Sequence, residues 1–437
     1  IYCVPSCSAR PHPGNVVSYE TAAAAEVAGF RACLRCRPYR SSSDLLVAGP
    51  ELVCRAVRLI ADGALDEAGE TELGARLGVS PRHLRRLFAE HVGVTPDQLG
   101  RSRRAHFARR LLDDTDLTVA DIAFASGFGS VRQLNRASLE LFRDTPVALR
   151  ARRRKADRLV VDGGITLRLP FRGALPWPTM LGYFARRAIR GVEHVDGDTY
   201  RRTVVVDGAP GVLELGPGGP DHLLLRAHLP HLGGLIHVVQ RARRIFGLDV
   251  DPGPADALLA RDPVLQPLVA AAPGLRVPGT WDPFETGVRA IIGQQVSVTG
   301  ASTVTGRLVA RLGTPVPGIG ALGLTHTFPR AAVVADGDLS ALGMPGARAG
   351  AIAVFAAAVA DGKLPLDRSI DADELIARII ELPGLGPWTA HYLALRLGEP
   401  DAFPAADLGL RRALHPTAPL STAALAERAE AWRPHRG

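Results

Sequence analysis

At 437 residues the chain is long enough for two to four domains, each with its own core. Its formal charge of +8 comes almost wholly from arginine, a balance that suits a polyanionic partner, although high-GC genomes also enrich arginine. No apolar run is long enough to cross a membrane and no secretory leader is visible, which argues against membrane and exported classes and makes the cytoplasm the expected compartment. The chain opens on IYCVPSC without a methionine and closes on AWRPHRG without a capped final helix, so terminal structure is expected beyond both ends.

The cysteines come first. Cys3 and Cys7 form a C-x3-C pair and Cys33 and Cys36 a C-x2-C pair. In a reducing compartment two such pairs separated by a loop read as a tetrahedral zinc site rather than disulfides, with the metal replacing a core too small to hold alone. Cys54, in ELVCRAVRLI, falls on an apolar helical stripe and reads as plain core. Around the four ligands, IYCVPSCSAR, NVVSY and AAEVAGFRACLRC strongly resemble the N-terminal domain of the Ada alkylation-response family. The resemblance implies a domain over 1–45 with one Zn2+ held by Cys3, Cys7, Cys33 and Cys36. It also implies that Cys3 accepts the methyl group of a methylated DNA phosphate, after which the protein activates transcription. Zinc keeps such a sulfur deprotonated, and a neutral phosphotriester does not repel it. Methylating one of four thiolates halves the site's formal negative charge, which favours tighter DNA binding.

Next, TELGARLGVSPRHLRRLFAE (71–90) reads as a helix, a glycine turn and a second helix entered at Ser80-Pro81. The second helix offers Arg82, His83, Arg85 and Arg86 as a major-groove face. A second copy, TVADIAFASGFGSVRQLNRASLELF, offers Arg132, Gln133, Asn135 and Arg136. One basic helix pair is often merely structural. Two, joined by RSRRAHFARRLL and bearing Gly127-Phe128 and Thr145-Pro146, resemble the AraC-type DNA-binding domain over 50–152. Ser138-Leu139 departs from that family's usual aromatic, so local packing is expected to differ. Promoter DNA and RNA polymerase are the implied partners.

A basic linker, ARRRKADR, follows at 151–158, and then the pattern turns to alternation. ITLRLPF, TYRRTVVV, GVLELG and HLLLRAHL read as strands of an antiparallel sheet, with helix returning from about 245.

Residues 382–390, LPGLGPWTA, read as a tight helical hairpin whose glycines allow a close approach. The N–H groups of Gly384, Gly386 and Thr389 are placed to hold a phosphate at a helix start. With Asp407 following in FPAADLGLRR, the layout resembles the helix–hairpin–helix DNA glycosylases and their single essential aspartate. PGLRVPG and WDPFETGVRAIIGQQVSVTGAS extend the likeness, specifically to the 3-methyladenine DNA glycosylase II (AlkA-like) family, over about 158–433. In that family an antiparallel-sheet domain, here 158–240, packs beside an all-α core, here 241–437.

The resemblance gives Asp407 the catalytic role, since cleaving an N-glycosidic bond builds positive charge on the sugar that a carboxylate stabilises. A helix N-cap is the plainer role for the same residue, and the two coexist. Flipping a base leaves a hole in the stack. The family fills it from the GQQ turn, implying Gln295 with Gln294 beside it; a helix cap is the plain alternative. Trp388 and Tyr392, four apart, share a helix face, either as core aromatics or as the base pocket the family implies. Such a pocket attracts a cationic alkylated base by about 0.5–2 kcal/mol. Trp281 is a weaker pocket candidate, His391 is expected outside it, and Asp401 fits a loop. Trp388 stands where lyase-type relatives carry a Schiff-base lysine, and the iron–sulfur branch's extra cysteines are missing, so the expectation is a monofunctional enzyme that leaves an abasic site.

The expected fold is multidomain and mainly α: a small zinc domain, an AraC-type double helix-turn-helix, an α+β antiparallel-sheet domain and an all-α helix–hairpin–helix glycosylase core. The expected protein is a monomer acting on alkylated and promoter double-stranded DNA, excising 3-methyladenine- and 7-methylguanine-type bases. The PCHRV motif of the Ada family's O6-methylguanine unit is absent, and the glycosylase stands in its place. The rival readings are a methylation-responsive transcription factor whose glycosylase domain only binds damage, and a DNA-tethered enzyme without a regulatory role.

Overall fold

The computed structural model describes residues 1–9, 11–40, 49–66, 68–154, 157–159, 164–414 and 418–437; Lys155 and Ala156 of the basic linker lie outside these. In chain order the first half runs α1 (Ala22–Val27), α2 (Glu51–Ala61), α3 (Glu70–Arg76), α4 (Pro81–His91), α5 (Pro96–Asp114), α6 (Val119–Ala125), α7 (Val131–Phe142) and α8 (Pro146–Ala151). The middle runs β1 (Ile165–Pro170), α9 (Trp177–Arg187), β2 (Glu193–Asp196), β3 (Thr199–Val206), β4 (Ala209–Pro217), β5 (His222–His228) and α10 (Leu235–Ile245). Then come α11 (Gly253–Leu259), α12 (Gln266–Ala271), α13 (Pro283–Ile292), α14 (Val298–Leu312), α15 (Ala331–Ala335) and α16 (Gly346–Ala360). The last helices are α17 (Ala372–Ile380), α18 (Pro387–Arg396), α19 (Leu408–Ala413) and α20 (Thr422–Ala429).

Hydroxyl caps decide where most of the first half's helices start, α2 and α3 excepted. Ser80 Oγ accepts from the His83 N–H at 3.2 Å and Ser130 Oγ from the Gln133 N–H at 3.2 Å, each opening the second helix of a helix-turn-helix. Thr95 and Thr118 make capping boxes with Gln98 and Asp121. Among the described residues no helix is long and apolar enough to cross a membrane.

One compact unit comprises Ile1–Arg172 and His222–Arg243. Its core joins Ala23 and Ala24 of α1 to Val53, Val57, Leu73, Leu84 and Phe88, so the cysteine block and the helices after it share one interior. A polar cluster seals that junction. Glu26 of α1 accepts from Tyr2 Oη at 2.7 Å and from Ser102 Oγ at 2.6 Å, and lies 2.5 Å from His106 Nε2. β1 pairs antiparallel with β5, matching Leu167 to Leu225 and Leu169 to Leu223, all four buried.

One expectation changes here. Cys54 is half-buried, 3.6 Å from the Gly49 carbonyl, because the buried stripe of α2 runs through Val53, Ala56, Val57 and Ile60 and leaves it at the margin. At Ser138-Leu139 the small hydroxyl goes inside (1% exposed) and the leucine outside (50%).

The other unit comprises Gly173–Asp221 and Arg244–Gly437. Its meander β2–β3–β4 is antiparallel, and Phe184, Tyr200 and Phe246 cluster with ring centroids 4.9–5.5 Å apart. The helical core runs from Val288 and Ile291 of α13 through Ile352 and Phe355 of α16 to Ile379 and Leu393 of the hairpin helices. A buried ionic cluster ties the meander to α13: Arg202 to Glu285 at 2.8 Å and Arg289 to Glu193 at 3.3 Å, with Tyr200 Oη donating to Glu193 at 2.5 Å. Burial alone would raise the Glu193 carboxyl, but Arg289 and Arg202 outweigh it and hold it low. Burial dominates at Glu285, which is raised.

All four predicted strands form. The alternating stretch also holds α9 and the four-residue β2, and helix resumes at Leu235, ten residues before the expected place.

Candidate functional site

α17 and α18 form the predicted hairpin across residues 381–386. Gly384 has φ +82°, and a Cβ there would meet Ala351 Cβ at 2.8 Å, so both its backbone and its packing demand glycine. Gly386 is the N-cap of α18 and carries no capping side chain, which leaves first-turn N–H groups available to an anion. A Cβ on Gly386 would meet nothing within 4 Å. Thr389, by contrast, is buried, and its hydroxyl accepts from Gln294 Nε2 at 2.9 Å.

Gln294 also donates to the Gly384 carbonyl at 3.3 Å, so it braces the hairpin from the turn after α13. Gln295 is exposed with φ +57°, in the left-handed region. Neither glutamine caps a helix: Ser297 caps α14, its Oγ accepting from the Gly300 N–H at 3.1 Å.

The hairpin brings Trp388 and Asp407 together. Trp388 Nε1 donates to Asp407 Oδ2 at 2.8 Å, while Asp407 Oδ1 accepts from the Leu410 N–H at 3.0 Å and caps α19. Asp407 is half-buried and serves as the N-cap of α19, the plainer of its two expected roles. Gly409 lets the carboxylate fold back, since a Cβ there would stand 3.0 Å from Oδ1.

Trp388 and Tyr392 stack, with centroids 5.4 Å apart and planes 16° from parallel. Behind them sits Arg396, 8% exposed. It donates to Tyr392 Oη at 2.7 Å, to Tyr183 Oη, and to the carbonyls of Pro278 (2.5 Å) and Gly279 (3.0 Å). Burial would raise the Tyr392 hydroxyl, but Arg396, the Tyr183 hydrogen bond and Arg289 together bring it below its ordinary value. Burial wins at Tyr183, which is raised. Trp281, two residues past Gly279, is buried with the Arg202 guanidinium 5.3 Å from its ring. Asp401 lies in a turn bound by Arg436 and Arg433. His391 is half-buried, and burial then Arg436 lower it.

Sequence reading overlooked Arg396, Tyr183 and Gly409. Arg396 was within reach, because it lies four residues after Tyr392 on the same helix face.

In the other unit, the sulfurs of Cys3, Cys7, Cys33 and Cys36 all lie within 4.8 Å of one another. The Tyr2–Ala32 bridge, with the Cys33 N–H donating to the Tyr2 carbonyl at 3.0 Å, brings the two pairs together. Backbone N–H groups point at the sulfurs, Ala9 to Cys7 at 3.5 Å and Arg35 to Cys33 at 3.4 Å, a pattern that stabilises thiolates. Four soft donors with supporting N–H groups fit zinc. Cys3 alone of the four is exposed; Cys33 is buried and the others are half-buried.

On α4, Arg82, Arg85 and Arg86 are exposed and His83 half-buried. Arg85 pairs with Glu70, and Arg86 lies 3.0 Å from His83 Nδ1. On α7, Arg132, Gln133 and Arg136 are exposed and Asn135 half-buried. Gln133 accepts from the Gly129 N–H at 3.0 Å, and Arg136 pairs with Glu140 at 2.8 Å.

The family model of the metal-binding domain of Ada matches residues 1–39, a helix-turn-helix domain 73–152 and the AlkA N-terminal domain 166–282. Over its whole length the chain is 42% identical to a Mycobacterium tuberculosis protein named a bifunctional transcriptional activator/DNA repair enzyme AlkA, covering 89% of it. It is 35% identical to the DNA-3-methyladenine glycosylase 2 of Escherichia coli over 59% of this chain and 90% of that one. The solved 3-methyladenine DNA-glycosylase of Archaeoglobus fulgidus shares the fold, with a TM-score of 0.54 at 24% identity over 62% of this chain and 94% of that one.

Proposed function

The chain belongs to the family of bifunctional transcriptional activator/DNA repair enzymes represented by its Mycobacterium tuberculosis relative, and from that premise we propose that Asp407 and Cys3 are its two reactive centres. It is a repair glycosylase fused to a regulatory Ada-like region with one zinc site. Four domains divide the work: 1–45 accepts methyl groups, 50–152 reads promoter DNA, and 158–240 and 241–437 form the glycosylase.

The observation that carries the glycosylase reading is the 2.8 Å contact from Trp388 to Asp407, which holds a carboxylate at the edge of an aromatic stack. An alkylated base, flipped from the duplex, enters against Trp388 and Tyr392, with Trp281 deeper in the wall. Gln295 fills the gap it leaves, and Gln294, Gly384, Gly386 and Thr389 shape the hairpin that grips the backbone phosphate. As the glycosidic bond breaks, the base departs with the bonding electron pair, so a cationic 7-methylguanine or 3-methyladenine leaves neutral. The Asp407 carboxylate stabilises the sugar cation and orients water, whose oxygen bonds to C1′ and whose proton passes to Asp407 and then solvent. No amine attacks the sugar, and the product is an abasic site.

At the other centre the exposed Cys3 sulfur forms the S–C bond to the methyl group of a phosphotriester. The O–C bond breaks, and the oxygen keeps its electrons as a phosphodiester. Cys3, Cys7, Cys33 and Cys36 would hold the zinc, which would keep the Cys3 sulfur deprotonated at neutral pH. The exposed side chains of α4 and α7 read the promoter, with His83 and Asn135 at their edges. RNA polymerase is the partner of the activated form, and the protein works as a monomer in the cytoplasm.

The test is release of 3-methyladenine and 7-methylguanine from methylated duplex DNA, parent against Asp407→Asn, with uptake of labelled phosphotriester methyl by Cys3→Ser measured in parallel. Release that Asp407→Asn abolishes, and uptake that only Cys3→Ser abolishes, support both assignments. A folded parent that releases no base overturns the enzyme and leaves a regulator that binds damage.

A further inference from the structure

Where the cysteine block meets α5, α7 and α8, a cavity of about 370 Å³ opens within the first compact unit. Arginines from four chain segments converge on it: Arg31 and Arg37 beside the zinc ligands, Arg109 of α5, Arg143 at the end of α7, and Arg152 and Arg154 past α8. One carboxylate, Asp144, lines it with them. Half of this charge is neutralised, Arg37 by Asp157 at 2.5 Å, Arg109 by Asp113 at 2.9 Å and Arg152 by Asp144 at 2.7 Å. Arg31, Arg143 and Arg154 pair with no carboxylate among the described residues. Arg31 has only a 3.4 Å contact to the Ala32 carbonyl, and Arg143 and Arg154 are exposed.

Two further features mark the place. Arg143 ends α7 at φ +60°, a left-handed position that favours glycine, so the helix closes on a residue its backbone does not prefer. The floor is apolar: Tyr39 packs edge-on against Phe142 at 6.2 Å, with Leu149 beside them. A cationic rim over an aromatic floor is the chemistry of a phosphate ester, whose oxygens match the forked donors of guanidinium and offset converging like charges.

We propose that this cavity is a phosphate site, and that the phosphate it takes is a backbone phosphate of the DNA bound by the helix-turn-helix region. A free polyphosphate carries the same chemistry and is the other source. DNA is favoured because Arg143 caps the end of α7, the second DNA-reading helix, and Arg154 lies at the start of the linker just past α8. Arg31 stands two residues before Cys33 and Arg37 directly follows Cys36. A strand seated here therefore bridges the methyl-accepting block and the end of α7.

The experiment uses the full-length, zinc-loaded protein with Arg143→Gln/Arg154→Gln, two exposed positions, and Arg143→Lys/Arg154→Lys as the charge-conserving control. Affinity for unmethylated duplexes, one promoter-like and one random, is measured across a salt series, and tripolyphosphate binding by calorimetry. The glutamine variant is expected to bind both duplexes several-fold more weakly, with the slope of log affinity against log salt shallower by about one to two. The lysine variant should recover most of the loss. If tripolyphosphate binding falls while the duplex slope stays, the phosphate site stands and its DNA assignment is overturned. Unchanged duplex affinity, slope and tripolyphosphate binding overturn the proposal. Because the readout is binding alone, it is independent of whether Asp407 and Cys3 react.

Discussion

Replacing Trp388 with Phe keeps a ring against Tyr392 and removes one N–H. That N–H lies 2.8 Å from Asp407 Oδ2, while the other carboxylate oxygen stays tethered by the Leu410 N–H at 3.0 Å. A hydrogen bond to a charged group contributes about 1.5–3 kcal/mol. With one tether left, the loss belongs in the lower half of that range, and about 1.5–2 kcal/mol corresponds to roughly ten- to thirtyfold in rate. The loss should fall on the chemical step, because the indole fixes where the negative charge stands rather than how DNA is held. Single-turnover release of 3-methyladenine at saturating enzyme reads that step directly. A rate constant within about twofold of the parent, in a variant with parental melting behaviour, would refute the claim that this contact positions the carboxylate.

Two other outcomes follow from buried charge. Arg202→Met leaves Glu285 and Glu193 with Arg289 alone of the two arginines they share and should destabilise the glycosylase unit toward the lower end of about 3–5 kcal/mol, read as a lower thermal midpoint; adding Glu285→Leu should restore part of it. Burial would raise Glu26, but His106 and the Ser102 and Tyr2 hydrogen bonds hold it below its ordinary value. Its stabilising contribution is therefore complete above the ordinary carboxylate range and disappears as pH falls through the lowered value. Glu26→Gln should lower the urea midpoint at neutral pH, and the gap from the parent should close below about pH 4.

Much of this molecule is legible in its sequence because the informative signals are local. Ser80-Pro81 fixes a helix start, C-x3-C and C-x2-C fix a ligand set, and Gly384 with Gly386 fixes a hairpin, each within a few residues. The strands at Thr199–Val206 and Ala209–Pro217 alternate strongly enough to read. β2 is four residues long, too short for periodicity to declare. Arg202 with Glu285, Glu26 with His106, and Arg396 with Tyr183 join residues distant in the chain, and nothing in the local pattern tells which arginine of so many will meet which partner. Cys54 shows the converse: it stands in an apolar helical run, yet the buried stripe of α2 passes through its neighbour Val53 and leaves it at the edge.

Tyr2, Glu26, Ser102 and His106 carry a lesson about modularity. Residues 1–39 match a self-standing family, which invites the picture of a bead on a string. Yet Glu26 spends its carboxylate on two side chains of α5, and Ala23 and Ala24 fill the core built by α2, α3 and α4. Swapping the cysteine block for a relative's would therefore require carrying positions 102 and 106 along with it. Recombination between such proteins should favour crossovers after α5, where the polar lock is inherited whole, over crossovers in the segment between α1 and α2.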